Sequence, residues 1–326
     1  MAGIRDVAKR ANVSAITVSR VINSPEIVSQ ETIDKVTKVM KELNYSINPV
    51  ARALATNKTN VISVYIPKHI DINNLYVMEL ISGISEVCST NLYSMLIVRK
   101  KNAKALCDGY ILTGIHEDEM AEMIEFATEK DRKFVLFGNT EKADVDYIDA
   151  DNFRGAEQMV MHLIENGHKK IGMIKLKQTK VSRYGNARYE GYLSALKTNG
   201  LNVDPTNVFE AENTVDASFE MAKEMLNKTD VTAFFCATDV LAMGLMRACQ
   251  HLNISIPEQI SIGSFDGFGH QNMMIPHITT MKQPIFEIGK KLATTLLNKL
   301  KDEKMASVKA YQKCEFIPGG TVKKIK

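Results

Sequence analysis

Residues 11–23 read ANVSAITVSRVIN and carry two apolar side chains where a soluble helix normally has polar ones. The predicted buried face of this helix consists of three residues at helical spacing: Val18, Val21 and Ile22. Ala15 and Ile16 then point outward from the first turn. Outward apolar groups need a partner, and the methyl groups of thymine in a DNA major groove can provide one.

The neighbouring segments complete a small helical module. We predict N-terminal caps at Gly3, with Asp6 in the first turn, at Ser14 and at Ser29, so that three short helices follow one another with a turn at 12–13. Two short helices joined by such a turn and supported by a third form a helix-turn-helix. In that motif the first turn of the second helix enters the major groove.

Arg20 lies one turn beyond Ala15 and Ile16 on the same outer face. Its guanidinium can donate two hydrogen bonds to a guanine, so we predict that these three residues read bases. The alternative is that Ile16 packs against a neighbouring domain.

The charge distribution favours the same interpretation. The chain has 326 residues and a formal net charge of +3, with nine Lys and Arg against five Asp and Glu in residues 1–60. That segment has a balance of +4 and the remainder has a balance of −1. A basic excess confined to the first sixth of the chain is typical of a small module that faces a polyanion, although an excess of this size also arises by chance.

The segment NYSINPVARALATNKTN, residues 44–60, predicts a short helix from Val50 to Ala55. This run is far below the roughly 12–15 residues that hold a helix alone in water, so we expect it to order only against DNA and to be a flexible linker otherwise. Leu54 lies between Arg52 and Lys58. An apolar residue beside basic ones is the pattern that minor-groove binders insert between base steps.

From residue 61 onward, short apolar runs alternate with amphipathic segments. A first series of runs lies at 61–66, 93–98, 109–114 and 133–138. A second series starts with DYIDAD at 146–151 and continues at 170–176, 231–237 and 260–265. The alternation predicts an α/β fold of two lobes, each a parallel sheet with helices on both faces, and a ligand site between the lobes at the carboxyl ends of the strands.

Other classes of protein find little support. No apolar run approaches the roughly 20 residues of a membrane span, and the N-terminus lacks a signal-peptide layout, so we expect a cytoplasmic protein without membrane contact. The chain shows no GxGxxG, P-loop, HExxH or GxSxG motif, and HEDEM at 116–120 lacks the second histidine. An enzyme, or a sugar-binding protein that does not bind DNA, remains the alternative on the same α/β body.

The cysteines are odd in number, widely spaced and without a CxxC pair. This pattern indicates neither a disulfide framework nor a zinc site, and we expect no metal and no cofactor. We predict that all are reduced and mostly buried: Cys88, Cys107, Cys236, Cys249 and Cys314.

The chain resembles the LacI-type family of transcriptional regulators, in order, in the segments IRDVAKRANVSAITVSRVIN, VSQETIDKVTKVMKELNYSINPVARALATNKTNVISV, ADNFRGAEQMVMHLIENGHKKIGMI, ARYEGYLSAL, FFCATDVLAMGLMRA and ISIGSFDGF. The resemblance implies a helix-turn-helix headpiece (1–46), a hinge helix and linker (47–60) and a core similar to periplasmic sugar-binding proteins (61–326). It implies a first lobe of about 61–147 and 279–304, and a second of about 148–278 and 305–326. HITTM at 277–281 would lead the following helix back to the first lobe.

The resemblance also implies functional positions. The DNA-binding set is Ser14, Ala15, Ile16, Thr17, Arg20 and Asn23, with Arg52 and Leu54 in the hinge. In the cleft, Arg188 matches an arginine that clamps the effector, and Asp266 matches a carboxylate that accepts sugar hydroxyls. Further lining positions are Tyr76, Asn139, Asp151 and Thr238. The alternatives are a surface helix arginine for Arg188 and a loop-capping aspartate for Asp266.

The resemblance implies a homodimer that binds double-stranded operator DNA, as a repressor, under the control of a sugar or sugar phosphate. Planar donors, carboxylates and an aromatic surface suit a polyol. The sequence does not identify the effector or show whether it acts as inducer or corepressor. It also leaves open whether dimers pair into tetramers and whether a phosphoprotein corepressor takes part.

One segment departs from the family. RKKNAKALCD, residues 99–108, leaves about ten residues between the second and third strands, where the family has a longer loop and a full helix. A parallel crossover usually needs a dozen or more residues, so we expect a stub that leaves one face of the first sheet thinly covered.

Overall fold

The computed structural model describes residues 3–45, 58–68, 70–72, 74–100, 106–115, 117–129, 132–142, 144–177, 183–269, 272–302 and 304–325. The chain divides into two compact units, the first formed by residues 1–60 with 106–108 and the second by the remainder. The predicted hinge residues Arg52 and Leu54 lie outside the described residues.

The described part of the first unit is helical. It contains α1 (Ile4–Ala11), α2 (Ala15–Asn23) and α3 (Gln30–Glu42), with a 3₁₀ turn at Pro25–Ile27. Asn12 takes a left-handed conformation (φ 50°) in the turn between α1 and α2. All three helices contribute to one core, made of Val7, Ala8, Ala11, Val18, Val21, Val36 and Val39. The predicted helix-turn-helix is confirmed.

Local hydrogen bonds begin these helices where the sequence predicts. The Asp6 carboxylate accepts the backbone N–H of the residue that precedes α1 (2.8 Å), and Ser14 Oγ accepts the N–H of Thr17 (3.0 Å). Ser29 is the N-cap of α3, but its hydroxyl pairs with the hydroxyl of Thr32 (2.9 Å) instead of a backbone N–H. The helix starts are therefore fixed largely by residues within one turn of them.

The second unit alternates strands and helices. The strands are β1 (Val61–Tyr65), β2 (Ser94–Val98), β3 (Gly109–Leu112), β4 (Lys133–Phe137), β5 (Tyr147–Ala150), β6 (Ile171–Leu176), β7 (Val208–Ala211), β8 (Ala233–Cys236), β9 (Ser261–Asp266), β10 (Thr279–Lys282), β11 (Lys309–Gln312) and β12 (Glu315–Ile317). The helices are α4 (Leu75–Thr90), α5 (Glu117–Glu129), α6 (Asn152–Glu165), α7 (Arg183–Thr198), α8 (Val215–Leu226), α9 (Asp239–His251) and α10 (Ile285–Lys301).

These strands form two sheets, in the orders β11-β5-β4-β3-β1-β2 and β12-β10-β9-β8-β6-β7. Neighbouring strands are parallel except for the antiparallel pair β10–β12. Lobe 1 is the first sheet with α4, α5 and α10, and lobe 2 is the second sheet with α6, α7, α8 and α9. The predicted two-lobed α/β architecture is confirmed.

Sheet membership differs from the predicted lobes at three strands. The run at 146–151 was expected to open the second series, but β5 pairs with β4 in the first sheet. Strand β10 belongs to the second sheet although residues from 279 were assigned to lobe 1, and β11 belongs to the first although residues from 305 were assigned to lobe 2. An apolar run predicts a strand but not its partner, because pairing depends on segments distant in sequence.

Helix α10 returns to lobe 1, as expected for the segment after HITTM. It packs closely on α4, and glycines permit the contact. A Cβ on Gly83 would lie 2.1 Å from the carbonyl oxygen of Phe286, and one on Gly289 would lie 2.5 Å from that of Leu80. Any larger residue at either position would push the two helices apart.

Strand β2 is the edge strand that precedes the shortened crossover, of which residues 101–105 lie outside the described part. Ser94 and Leu96, which share one face of β2, are exposed, with Leu96 at 42%. This agrees with the expected thin cover on one face of the first sheet.

All five cysteines are free and buried, as predicted. Among the described residues, no helix combines the length and apolar character needed to cross a membrane.

Candidate functional site

The predicted base readers form an exposed patch on α2. Ile16 is 65% exposed, and Ala15 and Arg20 are also exposed, while Val18 beneath them is fully buried. Within the first unit, these three side chains therefore lie on the surface.

The polar residues predicted beside that patch are partly engaged within the helix. The hydroxyls of Ser14 and Thr17 pair with each other (2.8 Å), so both take part in the N-terminal cap. Asn23 donates its side-chain amide to Ser19 (3.3 Å), and its Oδ1 is enclosed without a hydrogen-bond donor among the described residues. Ser14 is exposed like Ala15, Ile16 and Arg20, whereas Thr17 and Asn23 are half-buried.

The end of the predicted linker is held by a carboxylate that the sequence did not indicate. Asp108 Oδ1 accepts both the backbone N–H and the hydroxyl of Thr59 (2.7 Å each), and its Oδ2 accepts the N–H of Asn60 (2.9 Å). Asp108 is the last residue of the shortened crossover. Residues some 50 positions apart in sequence therefore meet here, which local patterns do not reveal.

Arg188 on α7 is only 3% exposed, so its interpretation as a surface arginine is wrong. Its Nε donates to Asn152 Oδ1 (2.9 Å), and its Nη1 donates to the carbonyl oxygen of Ala237 (2.5 Å) and to Asp266 Oδ1 (3.0 Å). The guanidinium also lies 4.0 Å from the ring centre of Phe265. Several segments of lobe 2 thus fix its position.

Asp266 ends β9 with φ 119°, a backbone conformation that side-chain-bearing residues rarely adopt. Its Oδ1 accepts from Arg188 and from Gln283 Nε2 (2.9 Å), and its carbonyl oxygen accepts the N–H of Gln283 (3.0 Å). Burial raises the pKa of Asp266 to about 7, against the lowering effect of Arg188, and the charge of Asp239 raises it further. Among the described residues, the donors to its carboxylate are side chains and not the N–H groups of a helix terminus.

An aromatic cluster joins the two lobes. Tyr76, in the first turn of α4, stacks on Phe137 at the end of β4, with ring centres 5.7 Å apart and planes at 26°. The ring of Phe268, which follows β9 in lobe 2, lies 6.2 Å from that of Tyr76. Burial raises the pKa of Tyr76, and the nearby Tyr184 and Asp149 add to this effect.

Asn139 and Asp149 form the polar part of the side of the cleft that belongs to lobe 1. Asn139 Nδ2 donates to Asp149 Oδ2 (2.9 Å), and the N–H of Ala150 donates to Oδ1 (2.8 Å). Burial raises the pKa of Asp149 to about 6, although these two hydrogen bonds and the charge of Arg188 lower it. The charge of Arg188 in lobe 2 therefore acts on a carboxylate of lobe 1.

Asp151 and Thr238, the remaining predicted lining residues, cap helices. Asp151 accepts the N–H of Arg154 at the start of α6 (3.0 Å). Thr238 accepts the N–H of Leu241 at the start of α9 (3.2 Å) and donates to Asn213 Oδ1 (2.8 Å). The structure thus brings together Tyr76, Asn139, Arg188 and Asp266 and adds residues that the sequence reasoning missed: Phe137, Asp149, Asn152, Phe268 and Gln283.

The one available sequence signal for Asp149 was its position two residues before Asp151, at the end of an apolar run. Carboxylates, amides, a guanidinium and aromatic rings together suit a small ligand rich in hydroxyl groups. No three described His, Cys, Asp or Glu side chains are placed to hold a metal ion.

Two family models match the chain. Residues 3–48 match the bacterial regulatory proteins of the lacI family, and residues 160–322 match a periplasmic binding protein-like domain.

Relatives match the chain along its whole length. It is 35% identical over 319 residues to the uncharacterized HTH-type transcriptional regulator YvdE of Bacillus subtilis (strain 168), which covers 97% of this chain and 98% of the relative. It is 30% identical over 341 residues to the HTH-type transcriptional repressor PurR of Haemophilus influenzae (strain PittEE), with 99% and 98% covered.

Solved structures share the fold. The lac repressor dimer bound to operator and the anti-inducer ONPF has a TM-score of 0.83 at 23% identity, with 99% of each chain covered. The complex of the transcriptional regulator CelR with cellobiose has a TM-score of 0.73 at 24% identity, with 98% of this chain and 100% of that chain covered. Since the headpiece, the two-lobed core and end-to-end relatives all agree, the chain belongs to the lacI family of bacterial regulatory proteins and is a DNA-binding transcriptional regulator, not an enzyme.

Proposed function

We propose that this regulator is a repressor whose affinity for operator DNA is controlled by a sugar-like polyol in the cleft between lobes 1 and 2. The observation that carries the proposal is the pair Arg188–Asp266 in lobe 2 and the pair Asn139–Asp149 in lobe 1, together with the ring contact that joins the lobes beside them. The cellobiose complex of CelR, a structure of the same fold, supports the class of ligand.

A polyol satisfies both kinds of group in the cleft. Its hydroxyl hydrogens can be accepted by the carboxylates of Asp149 and Asp266, and its hydroxyl oxygens can accept from Arg188 and Asn139. Its C–H faces can pack against the ring of Tyr76. Because the groups belong to both lobes, the ligand would favour one relative position of the lobes over another.

The ligand controls DNA binding if the protein binds the operator with different affinity in two conformations, which differ in the relative position of the lobes. A ligand changes such an equilibrium only by the difference in its affinity for the two states. In this proposal the headpiece is residues 1–46, the linker is 47–60 and the core is 61–326. Ala15, Ile16 and Arg20 read bases, and Leu54 enters the minor groove.

We include a homodimer in the proposal, because the lac repressor structure of the same fold is a dimer on its operator. Two headpieces related by a two-fold axis read two half-sites of a palindromic operator. We place the site of action in the cytoplasm. Nothing in the described surface requires a phosphoprotein corepressor, which the proposal omits.

Thermal-shift screening of the full chain against sugars and their phosphates tests the ligand class. A ligand at 100 times its Kd stabilises the folded state by about 2.7 kcal/mol, which moves the melting temperature by several degrees. We expect neutral sugars such as cellobiose or ribose to raise it. A response only to sugar phosphates would refine the class, and no response to any sugar would contradict it.

Band shifts with fragments of the regulator's own upstream DNA test the coupling. Arg188→Ala and Asp266→Ala should bind the operator without sugar and ignore sugar concentrations that switch the wild type. A normal sugar response in both variants would show that the cleft assignment is wrong.

A further inference from the structure

A buried carboxylate lies directly behind the effector site of lobe 2. Asp239 is the first residue of α9 and is fully buried (0% exposed). Its Oδ1 accepts hydrogen bonds from the hydroxyls of Ser264 in β9 (2.5 Å) and Thr280 in β10 (2.7 Å), and its Oδ2 accepts the N–H of Gly267 (2.8 Å). One side chain therefore ties together the ends of α9, β9 and β10 and the loop after β9.

Burial of a charged group is costly unless hydrogen bonds compensate for the lost water. A carboxylate inside the end of a sheet therefore needs a structural reason, and the loop it holds provides one. Asp266, Gly267 and Gly269 all have positive φ, at 119°, 69° and 93°. Such a conformation at a non-glycine residue persists only when its surroundings enforce it.

The loop is held from two sides. Asp239 fixes the N–H of Gly267, and Gln283 bonds to both the carbonyl oxygen and the carboxylate of Asp266. A Cβ at Gly267 would lie 2.6 Å from the Cα of Lys282, so the loop also packs tightly against β10. These contacts restrain the loop on both sides.

The position of the loop places two cleft groups. It presents the Asp266 carboxylate to Arg188 at 3.0 Å and the Phe268 ring to Tyr76 at 6.2 Å across the lobes. Asp239 itself has no exposed surface through which a ligand in the cleft could contact it.

We infer that Asp239 is a positioning residue for effector binding, which holds residues 266–269 so that Asp266 and Phe268 both face the cleft; the inference rests on the proposed function. Its hydrogen bonds set the geometry of the loop. Its negative charge also acts on the neighbouring Asp266 carboxyl, whose pKa it raises.

A tryptophan reporter tests the positioning without any sugar. The chain contains no tryptophan, so Phe268→Trp supplies a single indole at the tip of the loop. In this background we expect blue-shifted emission and weak quenching by acrylamide. Adding Asp239→Ala should shift the emission to the red and increase quenching severalfold, because the loop loses its anchor.

Asp239→Asn is the conservative counterpart. An amide of the same shape can accept the N–H of Gly267 and donate to the hydroxyls of Ser264 and Thr280. It should therefore keep the emission and quenching of the reporter close to those of the parent. If Asp239→Ala does not fold, Thr280→Val and Ser264→Ala each remove one hydrogen bond and should give smaller changes of the same sign.

Thr321→Val is the matched control. The Thr321 hydroxyl is also fully buried, and it accepts the N–H of Thr279 (2.9 Å) and donates to the carbonyl oxygen of Ile262 (2.6 Å) at the opposite end of β9 and β10. We expect it to lower the melting temperature but leave the reporter signal unchanged. An unchanged reporter in the folded variants of Asp239, Thr280 and Ser264, or an equal change in Thr321→Val, would overturn the inference.

Calorimetry with cellobiose, in chains that retain Phe268, measures the functional effect. We expect Asp239→Ala to weaken cellobiose affinity about tenfold or more, because the loop loses the hydrogen bonds that position it, and Asp239→Asn and Thr321→Val to stay within about threefold. Equal affinity in Asp239→Ala and wild type would overturn the functional part of the inference. If cellobiose does not bind the wild type, that outcome counts against the proposed function, and the reporter still decides the positioning.

Discussion

On α2, the proposed base readers Ala15, Ile16 and Arg20 lie within a span of six residues and are exposed, whereas the proposed cleft residues are spread from Tyr76 to Asp266 and are half-buried or buried. The two arginines show the difference. Arg20 extends from the first unit into solvent, while Arg188 already donates to three protein oxygens. We therefore expect substitutions in the exposed patch of α2 to have little effect on folding, and substitutions of the proposed cleft residues to lower both ligand binding and stability.

The largest loss of stability is expected for Arg188→Ala in the cleft. Removing one partner of a buried ion pair leaves the other uncompensated and destabilises a protein by about 3–5 kcal/mol. Urea unfolding of the full chain measures this loss. Arg247→Ala is the control, because Arg247 pairs with Asp216 at 2.6 Å on the surface, with half of its side chain exposed, and such pairs contribute about 0–1 kcal/mol. Equal losses in the two variants would contradict the structural role of Arg188.

Arg20→Ala should weaken operator binding but leave the stability of the protein nearly unchanged. We expect a loss of about 1–3 kcal/mol in binding to operator, from the missing guanine contact, and a change in unfolding free energy within about 0.5 kcal/mol. Titration of operator and random DNA in parallel measures the difference. Lys38→Ala, an exposed residue of α3 with the same charge, should weaken binding to both DNAs alike. Equal losses on both DNAs for Arg20→Ala would remove it from the base readers.

The two regions should also differ in their response to pH. Asp149 and Asp266 have folded-state pKa values of about 6 and about 7, above the unfolded value of about 3.9, so the folded core binds protons more tightly. Their contribution to stability is therefore present at low pH and is lost as pH rises from about 4 through 7. The groups facing Asp266 are Arg188, Asp239 and Gln283.

Urea unfolding of the core between pH 5 and 8 measures this slope, and Asp149→Asn should reduce it because one titrating group is gone. The transition of the headpiece helices, followed separately, should change little over the same range. A core whose stability rises from pH 5 to 8 in wild type, with the same slope in Asp149→Asn, would contradict the assignment.

The smallest effect is expected for Ile16→Ala. Because Ile16 is 65% exposed, its truncation should leave stability nearly unchanged while it weakens operator binding by about 1 kcal/mol through lost methyl contacts. Val18→Ala in the same helix is the control. Because Val18 is fully buried, this substitution should lower the free energy of unfolding. A stability loss in Ile16→Ala as large as in Val18→Ala would mean that the apolar residue is part of a packed interface.

The headpiece was accessible from sequence because its information is local. Asp6 and Ser14 begin helices through bonds within three residues, and the core-facing valines recur at helical spacing. Most strands of the body were also visible as apolar runs. The order of the strands in the sheets could not be read from these runs. The strands β5, β10 and β11 show this, because each joins a sheet through partners distant in the chain.

The cleft shows the same limit at the level of side chains. The resemblance to a family pointed to Arg188 and Asp266, and the structure places Nη1 of the first 3.0 Å from Oδ1 of the second. Only its position near Asp151 indicated Asp149, and no pattern in the sequence indicated Phe268 or the buried Asp239. Burial changes a carboxylate such as Asp149 or Asp239 from a solvated surface group into a fixed acceptor, and no local pattern shows which carboxylates are buried.

The amino-acid sequence by itself thus determined the helix-turn-helix, its outward residues and the alternation of strands and helices, since capping and periodicity act over a few residues. The tertiary structure alone decided which strands share a sheet, which carboxylates are buried and which side chains meet across the lobes. Those outcomes depend on packing between segments that are separated by up to about two hundred positions, and local patterns carry no information about such distances.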